Sequence, residues 1–336
     1  MNILITTIDR SSDDICIFKE ALGENGKVFV SNSKMTCSML KADGYVLTPL
    51  IHDVSYIDFI ISYCQKNDIT AIISFSDVDV NVLAKNKERF IQNGIIAVVS
   101  DESVIQLCND KWKCHLFLSS IGLKQPKTYI DVNQLKQDLL SGIISFPLIF
   151  KPRWGSGSLG LFQVDSLVEI DIIYQYIIRK IFSSKWKYES EQDRNFCVLM
   201  QEKLNGQEYG LDVFNDLQGN YVTTIPKTKT EMRTGYTSLS CVHSSAPFEY
   251  TGKTISQNLK HISNIGVDCF LTESGDVIVI EINSRFAAHY SFAHLAGARF
   301  PKQIIEWLSG NSTSEKYISY KTGIKGYKDQ AQVVRF

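Results

Sequence analysis

Two acidic residues and one amide stand near the ends of consecutive apolar runs, where they could bind a metal ion. Glu281 and Asn283 are two residues apart in VIVIEIN (277–283), so in a strand their side chains share a face. Asp268 lies on the preceding apolar run, across a predicted tight turn, and can lie beside them. Carboxylate and amide oxygens suit Mg²⁺ that carries nucleotide phosphates. The alternative is a strand-end acid paired with an arginine or acting as a cap.

A glycine- and serine-rich segment could hold phosphate groups. Lys151 closes the apolar run PLIFK (147–151), and Gly155, Ser156, Gly157 and Ser158 follow it. Glycine lets backbone N–H groups approach phosphate oxygens, and hydroxyl groups add donors. The spacing differs from GxxxxGK[ST], so this is not a Walker loop. The alternative is a flexible hairpin without a ligand.

A third segment, MQEKLNGQEY (200–209), predicts a strand end followed by a turn and a new strand that begins at Glu208. Exposed backbone at such an end can pair with an adenine edge, and a nearby carboxylate can accept ribose hydroxyls. The alternative is an ordinary polar hairpin.

The first hundred residues predict a doubly wound α/β unit. Four apolar runs (2–7, 27–30, 71–75 and 95–99) predict buried strands, and Ile57, Ile60, Ile61 and Cys64 have the spacing of an amphipathic helix. Strand–helix alternation favours a parallel sheet covered on both faces. No GxGxxG follows the first strand, which argues against a dinucleotide-binding Rossmann domain.

Strands dominate the rest of the chain after a long helix. We expect helices at 102 onward, 110–121, 167–182 and 301–308, a helix ending at Ser263, and strands at 147–151, 197–202, 208–214, 221–226, 267–272 and 277–282. The polar stretch 183–194 predicts an exposed connection, and the chain beyond Gly310 has no assigned structure.

The composition excludes several classes of protein. The net charge is −1, so no sequence-wide basic field could hold a nucleic acid or an anionic membrane. No window reaches about 18 uninterrupted apolar residues, and the first residues lack the basic region of a signal peptide. Eight cysteines form no CxxC pair, as is typical of reduced thiols. We therefore expect a cytoplasmic protein.

Taken in this order, the segments resemble the ATP-grasp superfamily, which includes D-alanine–D-alanine ligase, biotin carboxylase and the carbamoyl-phosphate synthetase large chain. The chain is most similar to single-copy carboxylate–amine ligases such as that of pyrrolysine biosynthesis. The motifs are NDKW (109–112), FPLIFKP (146–152), the Gly/Ser segment, QE to EYGLD (201–212), EINSR (281–285) and HLAGARFP (294–301). The resemblance implies a doubly wound α/β domain over 1–108 and an α+β two-lobed ATP-grasp fold over 109–196 and 197–312. Residues 313–336 form an unassigned tail.

The resemblance also implies ATP and Mg²⁺, with Mn²⁺ as a substitute, and it assigns roles by position. Phosphate contacts would come from Lys111 and Lys151, the lid from 155–158, adenine contacts from Gln201, Glu202 and Leu204, the ribose contact from Glu208, and metal ligands from Asp268, Glu281 and Asn283. Arg285 would hold the transferred phosphate or the substrate carboxylate with two parallel hydrogen bonds.

The sequence departs from the family where the acceptor pocket should lie. Ser284 replaces the usual proline, and FAAHY (286–290) replaces a glycine run, so the substrate cannot be carried over. His289 and Tyr290 are candidate substrate contacts, and His289 is also a candidate general base, with a structural histidine as the alternative.

Two further groups of charges have an ordinary and a functional interpretation. Lys227, Lys229 and Arg233 form either a solvated basic face or, with Arg233 favoured, a contact to an anion. Asp77 and Asp79 could recognise a substrate amine, although a helix N-cap is the ordinary role for one of them.

These observations predict a ligase that activates a carboxylate as an acyl phosphate and joins it to an amine, releasing ADP and phosphate. Bicarbonate with ammonia, or a thiol, is an alternative within the same chemistry. A nucleotide-binding module without catalysis is an alternative of another class. The expected partners are a small-molecule carboxylate and an amine, without nucleic acid or membrane, and a homodimer is left open.

Overall fold

The N-terminal sheet consists of five parallel strands in the order β3-β2-β1-β4-β5. The computed structural model describes residues 1–8, 12–233 and 236–328. The strands are β1 (Asn2–Thr6), β2 (Val28–Asn32), β3 (Gly44–Leu47), β4 (Ile69–Ser74) and β5 (Ile96–Ala97). The helices are α1 (Ser12–Leu22), α2 (Tyr56–Lys66), α3 (Asp77–Lys85) and α4 (Lys87–Gln92). The predicted doubly wound unit is confirmed.

Alternate residues of β1 pack on opposite faces of this sheet. Ile3 and Ile5 join a core cluster with α1, whereas Leu4 joins a second cluster with the buried face of α2. That face contains Ile57 and Ile60, as the helical spacing predicts. Burial on both faces explains the continuous apolar character of the strand.

Two helices, α5 (Glu102–Asn109) and α6 (Lys111–Ser120), connect this unit to the next sheet. The Asp110 side chain accepts hydrogen bonds from the backbone N–H groups of Trp112 and Lys113 and so caps α6. The cap fixes the start of α6 and therefore the position of Lys111, the first residue of this helix.

The second sheet has the order β6-β9-β7-β8 and carries the strand that ends at Lys151 and Pro152. Its strands are β6 (Thr128–Tyr129), β7 (Leu148–Pro152), β8 (Phe162–Val164) and β9 (Val198–Glu202), and its helices are α7 (Val132–Leu140), α8 (Leu167–Phe182) and α9 (Lys187–Ser190). The expected exposed connection at 183–194 is wrong in part. It contains α9 and a 3₁₀ segment, because the buried Trp186 anchors it to the core of this lobe.

The third sheet is antiparallel, with the order β11-β10-β14-β15. Its strands are β10 (Gln207–Asn215), β11 (Tyr221–Thr228), β14 (Ser263–Leu271) and β15 (Val277–Asn283), and α10 (Glu249–Leu259) packs on it. The expectation that a helix ends at Ser263 is wrong. The helix ends at Leu259 because Lys260 takes a left-handed conformation, and Ser263 begins β14.

A small antiparallel sheet has the order β12-β13-β16 and contacts β11 of the third sheet through β13. It contains β12 (Glu231–Arg233), β13 (Tyr236–Cys241) and β16 (Lys325–Tyr327), and it is accompanied by α11 (Tyr290–Leu295), α12 (Phe300–Leu308) and α13 (Glu315–Ile318). The described part of the tail thus returns to pair with β13. In the described part of the chain, no helix is long and apolar enough to cross a membrane.

Candidate functional site

A cavity of about 450 Å³ lies between the second and third sheets, and most of the predicted site residues line it. They are Lys111, Lys151, Gly155, Ser156, Gly157, Ser158, Gln201, Glu202, Leu204, Glu208, Asp268, Glu281, Asn283, Arg285 and His289. Segments far apart in the sequence meet here because β7, β9, β14 and β15 all border the same cleft.

The register of β14 and β15 sets the acidic patch. Asp268 stands directly opposite Glu281, and Asn283 lies two residues further along the same strand. The register shifts after Asp268, so a β-bulge lies at this point of the ladder. The two carboxylates and the amide therefore lie close together, as strand alternation predicts.

Two lysines share the Glu281 carboxylate. The Nζ atoms of Lys111 and Lys151 lie 3.6 and 3.7 Å from its Oε2 atom. Burial would raise the pKa of Glu281, but the two lysines outweigh it and lower this pKa to about 2. Burial lowers the pKa of Lys151, against the opposing effect of Glu281. Two cations beside one ionised acid leave this end of the cavity attractive to a polyanion.

Lys229 bridges two further acids of the cavity. Its Nζ atom lies 2.7 Å from Asp268 and 2.9 Å from Glu208. Burial would lower the pKa of Lys229, but these carboxylates raise it above its usual value.

The interpretation of 227–233 as a solvated basic face is therefore wrong for two of its members. Lys227 is fully buried against Asp212, and the Arg233 side chain lies outside the described residues.

Lys111 also holds the glycine-rich segment. Its Nζ atom donates to the carbonyl of Gly155 at 2.6 Å, and its backbone N–H donates to the carbonyl of Arg153. Gly157 and Gly160 have positive φ angles of 66° and 67°, which glycine tolerates without strain. The segment at 155–160 thus covers the cavity above Lys151.

Sequence reasoning missed the residue that anchors this segment. The Nε and Nη2 atoms of Arg153 donate to the two oxygens of Asp110 at 2.7 Å each, and Nη1 donates to Asp193 at 2.8 Å. Asp110 is 43 residues away from Arg153 in the sequence, and only its place in the NDKW motif marked it.

At the opposite end of the cavity, the hairpin between β9 and β10 is tied to the β6 segment. Gln201 donates to the Thr128 hydroxyl at 2.8 Å, and Glu202 accepts from the Lys127 backbone N–H at 2.9 Å. Leu204 lines the same end.

Arg285 has a partner that the sequence did not indicate. Its Nε atom lies 2.7 Å from one oxygen of Asp77, and Nη2 donates to the other oxygen at 3.0 Å. Asp77 therefore occupies the edge of the guanidinium that was expected to hold a phosphate or substrate, with one ion-pair contact from Nε and one hydrogen bond from Nη2. The N-cap expected of Asp77 or Asp79 is wrong, because Ser76 holds that position. Asp79 is fully buried and accepts hydrogen bonds from Thr6 and Tyr56.

The segment that replaces the glycine run is divided between the cavity and the core. Ala287, Ala288 and His289 line the cavity, whereas Phe286 and Tyr290 pack in the core cluster that α1 also joins. The Tyr290 hydroxyl donates to the Ala298 carbonyl and accepts from the Phe300 N–H. Tyr290 is therefore committed to packing, and its expected substrate contact does not fit this position.

His289 is buried and faces Gly210 of β10. A Cβ atom on Gly210 would lie 2.1 Å from the His289 Nε2 atom, so only glycine leaves room for the ring. Burial, followed by Lys227 and Lys229, holds the pKa of His289 well below its usual value. The Nδ1 atom has no hydrogen-bond partner among the residues that the structure describes.

A parallel-sheet domain followed by two sheet lobes around a charged cleft defines a two-lobed clamp. Two family models match this organisation: the PylC-like N-terminal domain over residues 3–99, and an ATP-grasp domain over residues 144–292. The chain thus contains a PylC-like N-terminal domain and an ATP-grasp domain.

Related proteins support this assignment. The arginine-specific carbamoyl phosphate synthase large chain of Bacillus subtilis is 21% identical over 239 residues, which cover 66% of this chain and 20% of the relative. The chain thus spans about a fifth of the length of the curated relatives it matches.

Solved structures share the fold. The L-amino acid ligase of Bacillus licheniformis superposes with a TM-score of 0.73 at 16% identity, covering 98% of this chain and 81% of the ligase. Biotin carboxylase from Campylobacter jejuni, solved as a beta-gamma-ATP complex, gives a TM-score of 0.74 at 15% identity, covering 95% of this chain and 73% of the carboxylase.

Proposed function

We propose that the protein is an ADP-forming ligase that activates a carboxylate as an acyl phosphate and joins it to an amine. One observation carries the proposal. A single cleft brings the lysine pair Lys111 and Lys151, the acidic patch of Asp268 and Glu281, and a glycine-rich cover into contact range. Such a site combines cations for phosphate with oxygen ligands for a divalent metal.

Different parts of the cleft would bind the adenine, the ribose and the phosphates of ATP. Gln201, Glu202 and the Leu204 backbone would bind adenine, and Glu208 would accept the ribose hydroxyls. Lys111, Lys151 and residues 155–158 would bind the phosphates. To do so, Lys111 must exchange the Gly155 carbonyl for a phosphate oxygen, which couples binding to movement of the cover.

The acidic patch fits Mg²⁺. The lowered pKa keeps Glu281 ionised at neutral pH, and Asp268 and Asn283 supply further oxygens beside it. In the described ranges, no three His, Cys, Asp or Glu side chains are placed to hold a metal ion together. Two carboxylates and one amide leave room for the waters and phosphate oxygens that Mg²⁺ retains. When bound, the ion would neutralise phosphate charge, and Mn²⁺ would occupy the same ligands.

The residues of the chain would then act in order. A carboxylate oxygen attacks the γ-phosphorus, the bond to the bridging oxygen breaks, and ADP leaves. Lys151 stabilises the charge on the transferred group, and residues 155–160 exclude water that would hydrolyse the acyl phosphate. The amine attacks the carbonyl carbon and loses a proton, and phosphate departs with the original carboxylate oxygen.

The acceptor end would be formed by His289 and Lys229, and Arg233 stays the favoured anion contact predicted from the sequence. A buried neutral imidazole can accept a hydrogen bond or the proton of the attacking amine. We further propose small-molecule substrates, a cytoplasmic location and no nucleic-acid partner.

An isotope experiment tests the chemistry. Carboxylates, chiefly amino acids, are screened with amines for phosphate release, and the product is identified by mass. The active carboxylate is then labelled with ¹⁸O. We expect one labelled oxygen in inorganic phosphate, because attack at carbon expels the phosphate with that oxygen.

Other outcomes separate the alternatives. Label in AMP with pyrophosphate release would show an adenylate route and contradict the mechanism. Turnover only with bicarbonate and ammonia would reassign the substrates. Nucleotide binding without substrate-dependent ADP release would indicate a sensor.

A further inference from the structure

The contact between Asp77 and Arg285 joins the N-terminal domain to the cleft. Asp77 begins α3, separated by two residues from the carboxyl end of β4, and Arg285 follows the end of β15. The two residues are 208 positions apart in the sequence. Their side chains are 10% and 14% exposed, so the pair is largely shielded from water.

The contact decides how the guanidinium group can be used. The edge formed by Nε and Nη2 lies against Asp77, and Nη2 also reaches the Asn283 Oδ1 atom at 3.4 Å. Nη1 donates to the Phe286 carbonyl at 3.1 Å. Each of the three guanidinium nitrogens therefore has a protein partner. Nη1 carries two hydrogens and uses one for the Phe286 carbonyl, so one N–H remains for a ligand.

Asp77 is itself held in place. It starts α3, to which Phe75 and Ser76 connect the buried strand β4, and its carbonyl accepts a hydrogen bond from the Asn109 side chain at 3.2 Å. Neighbouring Val78 packs in the core of the second sheet's lobe. The carboxylate therefore has a rigid base from which to orient Arg285.

We propose that Asp77 is a positioning residue for Arg285, so that the N-terminal domain completes the part of the cleft that binds the terminal phosphate. The proposal rests on the function proposed above, which places Arg285 beside the transferred group. Without Asp77, the guanidinium would keep its charge but lose the partner that fixes its plane.

The test compares two nucleotides that differ by one phosphate group. The affinities for MgADP and for the magnesium complex of the non-hydrolysable β,γ-imido analogue of ATP are measured by calorimetry on the full chain. The variants are Asp77→Asn, Asp77→Glu, Arg285→Ala and the double variant Asp77→Asn/Arg285→Ala. Asp79→Asn is the matched control, since Asp79 is a buried acid of the same helix that bonds to Thr6 and Tyr56 instead.

We expect Asp77→Asn and Arg285→Ala each to reduce the preference for the triphosphate by about tenfold, the size of one hydrogen bond to a charged group. MgADP affinity should stay within about twofold. The double variant should be no worse than Arg285→Ala, because both changes remove one interaction. Asp77→Glu should restore part of the preference, and Asp79→Asn should keep it.

Three outcomes would overturn the proposal, and they are distinguishable. If Arg285→Ala loses the preference while Asp77→Asn keeps it, Asp77 does not position Arg285. If Asp77→Asn weakens both nucleotides equally, its role is structural only. If Arg285→Ala keeps the preference, or the wild-type protein binds neither nucleotide, the function proposed for the cleft fails and the positioning role fails with it.

Discussion

Glu281 lies at the centre of the site's charge balance. Its carboxylate faces Asp268 across the ladder and separates two lysines that would otherwise repel each other. Arginine and lysine residues around the cleft are therefore paired with acids before any ligand binds. On polyphosphate binding, Lys111 and Lys151 would exchange partners for phosphate oxygens, whereas Arg285 would keep Asp77, which makes individual side chains testable.

We predict that Glu281→Gln abolishes turnover and leaves the fold intact. The change removes an anionic metal ligand and the acid that holds Lys111 and Lys151 together. Phosphate release is measured at limiting Mg²⁺, and circular dichroism reports the fold. Glu249→Gln, which alters an exposed acid paired with Lys253, should retain the wild-type rate. A wild-type rate for Glu281→Gln at limiting Mg²⁺ would remove this residue from the metal site.

The position of His289 can be tested through its contact with Gly210. Gly210→Ala places a methyl group against the imidazole, so we expect a lower melting temperature and loss of turnover. The double variant Gly210→Ala/His289→Ala should recover the melting temperature, because the clashing ring is gone, but not the turnover. Failure of the second change to restore stability would show that the strain lies elsewhere.

At the scale of elements, the start of α6 and the end of β7 act as one unit. Asp110 caps the helix and also binds Arg153, while Lys111 reaches the carbonyl of Gly155. The glycine-rich cover therefore begins from a rigid base. The domain boundaries at 108, 196 and 312 stay predictions.

We predict that Arg153→Ala destabilises the protein by about 3–5 kcal/mol, because the buried Asp110 loses its compensating charge. Denaturant unfolding measures the free energy, and limited proteolysis measures exposure of residues 155–160. Arg194→Ala is the control, since this exposed arginine pairs with Glu191 three residues earlier and lies over the Phe182 ring, contacts that contribute little at the surface. Equal stability of the two variants would contradict an anchoring role for Arg153.

At the scale of the whole molecule, one core cluster joins the N-terminal sheet to the C-terminal helices. The ring of Phe18 in α1 packs edge-on against the ring of Phe286. The Phe286 ring packs edge-on against Tyr290 at the start of α11. The N-terminal domain is thus packed against the same segment that presents His289 to the cleft, so its stability bears on the site.

Low pH should destabilise the folded protein, because its buried histidines resist protonation. Burial lowers the pKa of His261 to about 3, whereas an unfolded histidine titrates near 6.5. Below pH of about 6.5 the unfolded chain binds a proton that the folded chain does not, so the free energy of unfolding falls as pH falls. The loss should reach about 2 kcal/mol by pH 5, and His289 adds to it.

Urea unfolding at pH 7.5, 6.5 and 5 measures this dependence. His261→Gln should flatten it, and His52→Gln, which changes a histidine beside Tyr188 on the surface, should not. An unchanged slope in His261→Gln would mean that other groups cause the acid sensitivity.

The sequence by itself determined the features that depend on near neighbours. The strands and helices of the first hundred residues follow from apolar spacing, and the shared face of Glu281 and Asn283 follows from strand alternation. The ATP-grasp assignment follows from motifs in order along the chain. Each of these is a local property, because backbone geometry relates residues only a few positions apart.

Only the tertiary structure decided which distant charges meet. The pairing of Asp77 with Arg285, the burial of Lys227 against Asp212 and the return of β16 to β13 leave no local pattern in the sequence. The expected Tyr290 contact failed for the same reason, since the packing of α1 against 286–290 turns that ring into the core. Which side chains meet across a cleft depends on how the sheets pack. The linear pattern of residues carries no information about the spatial distance between residues far apart in the sequence.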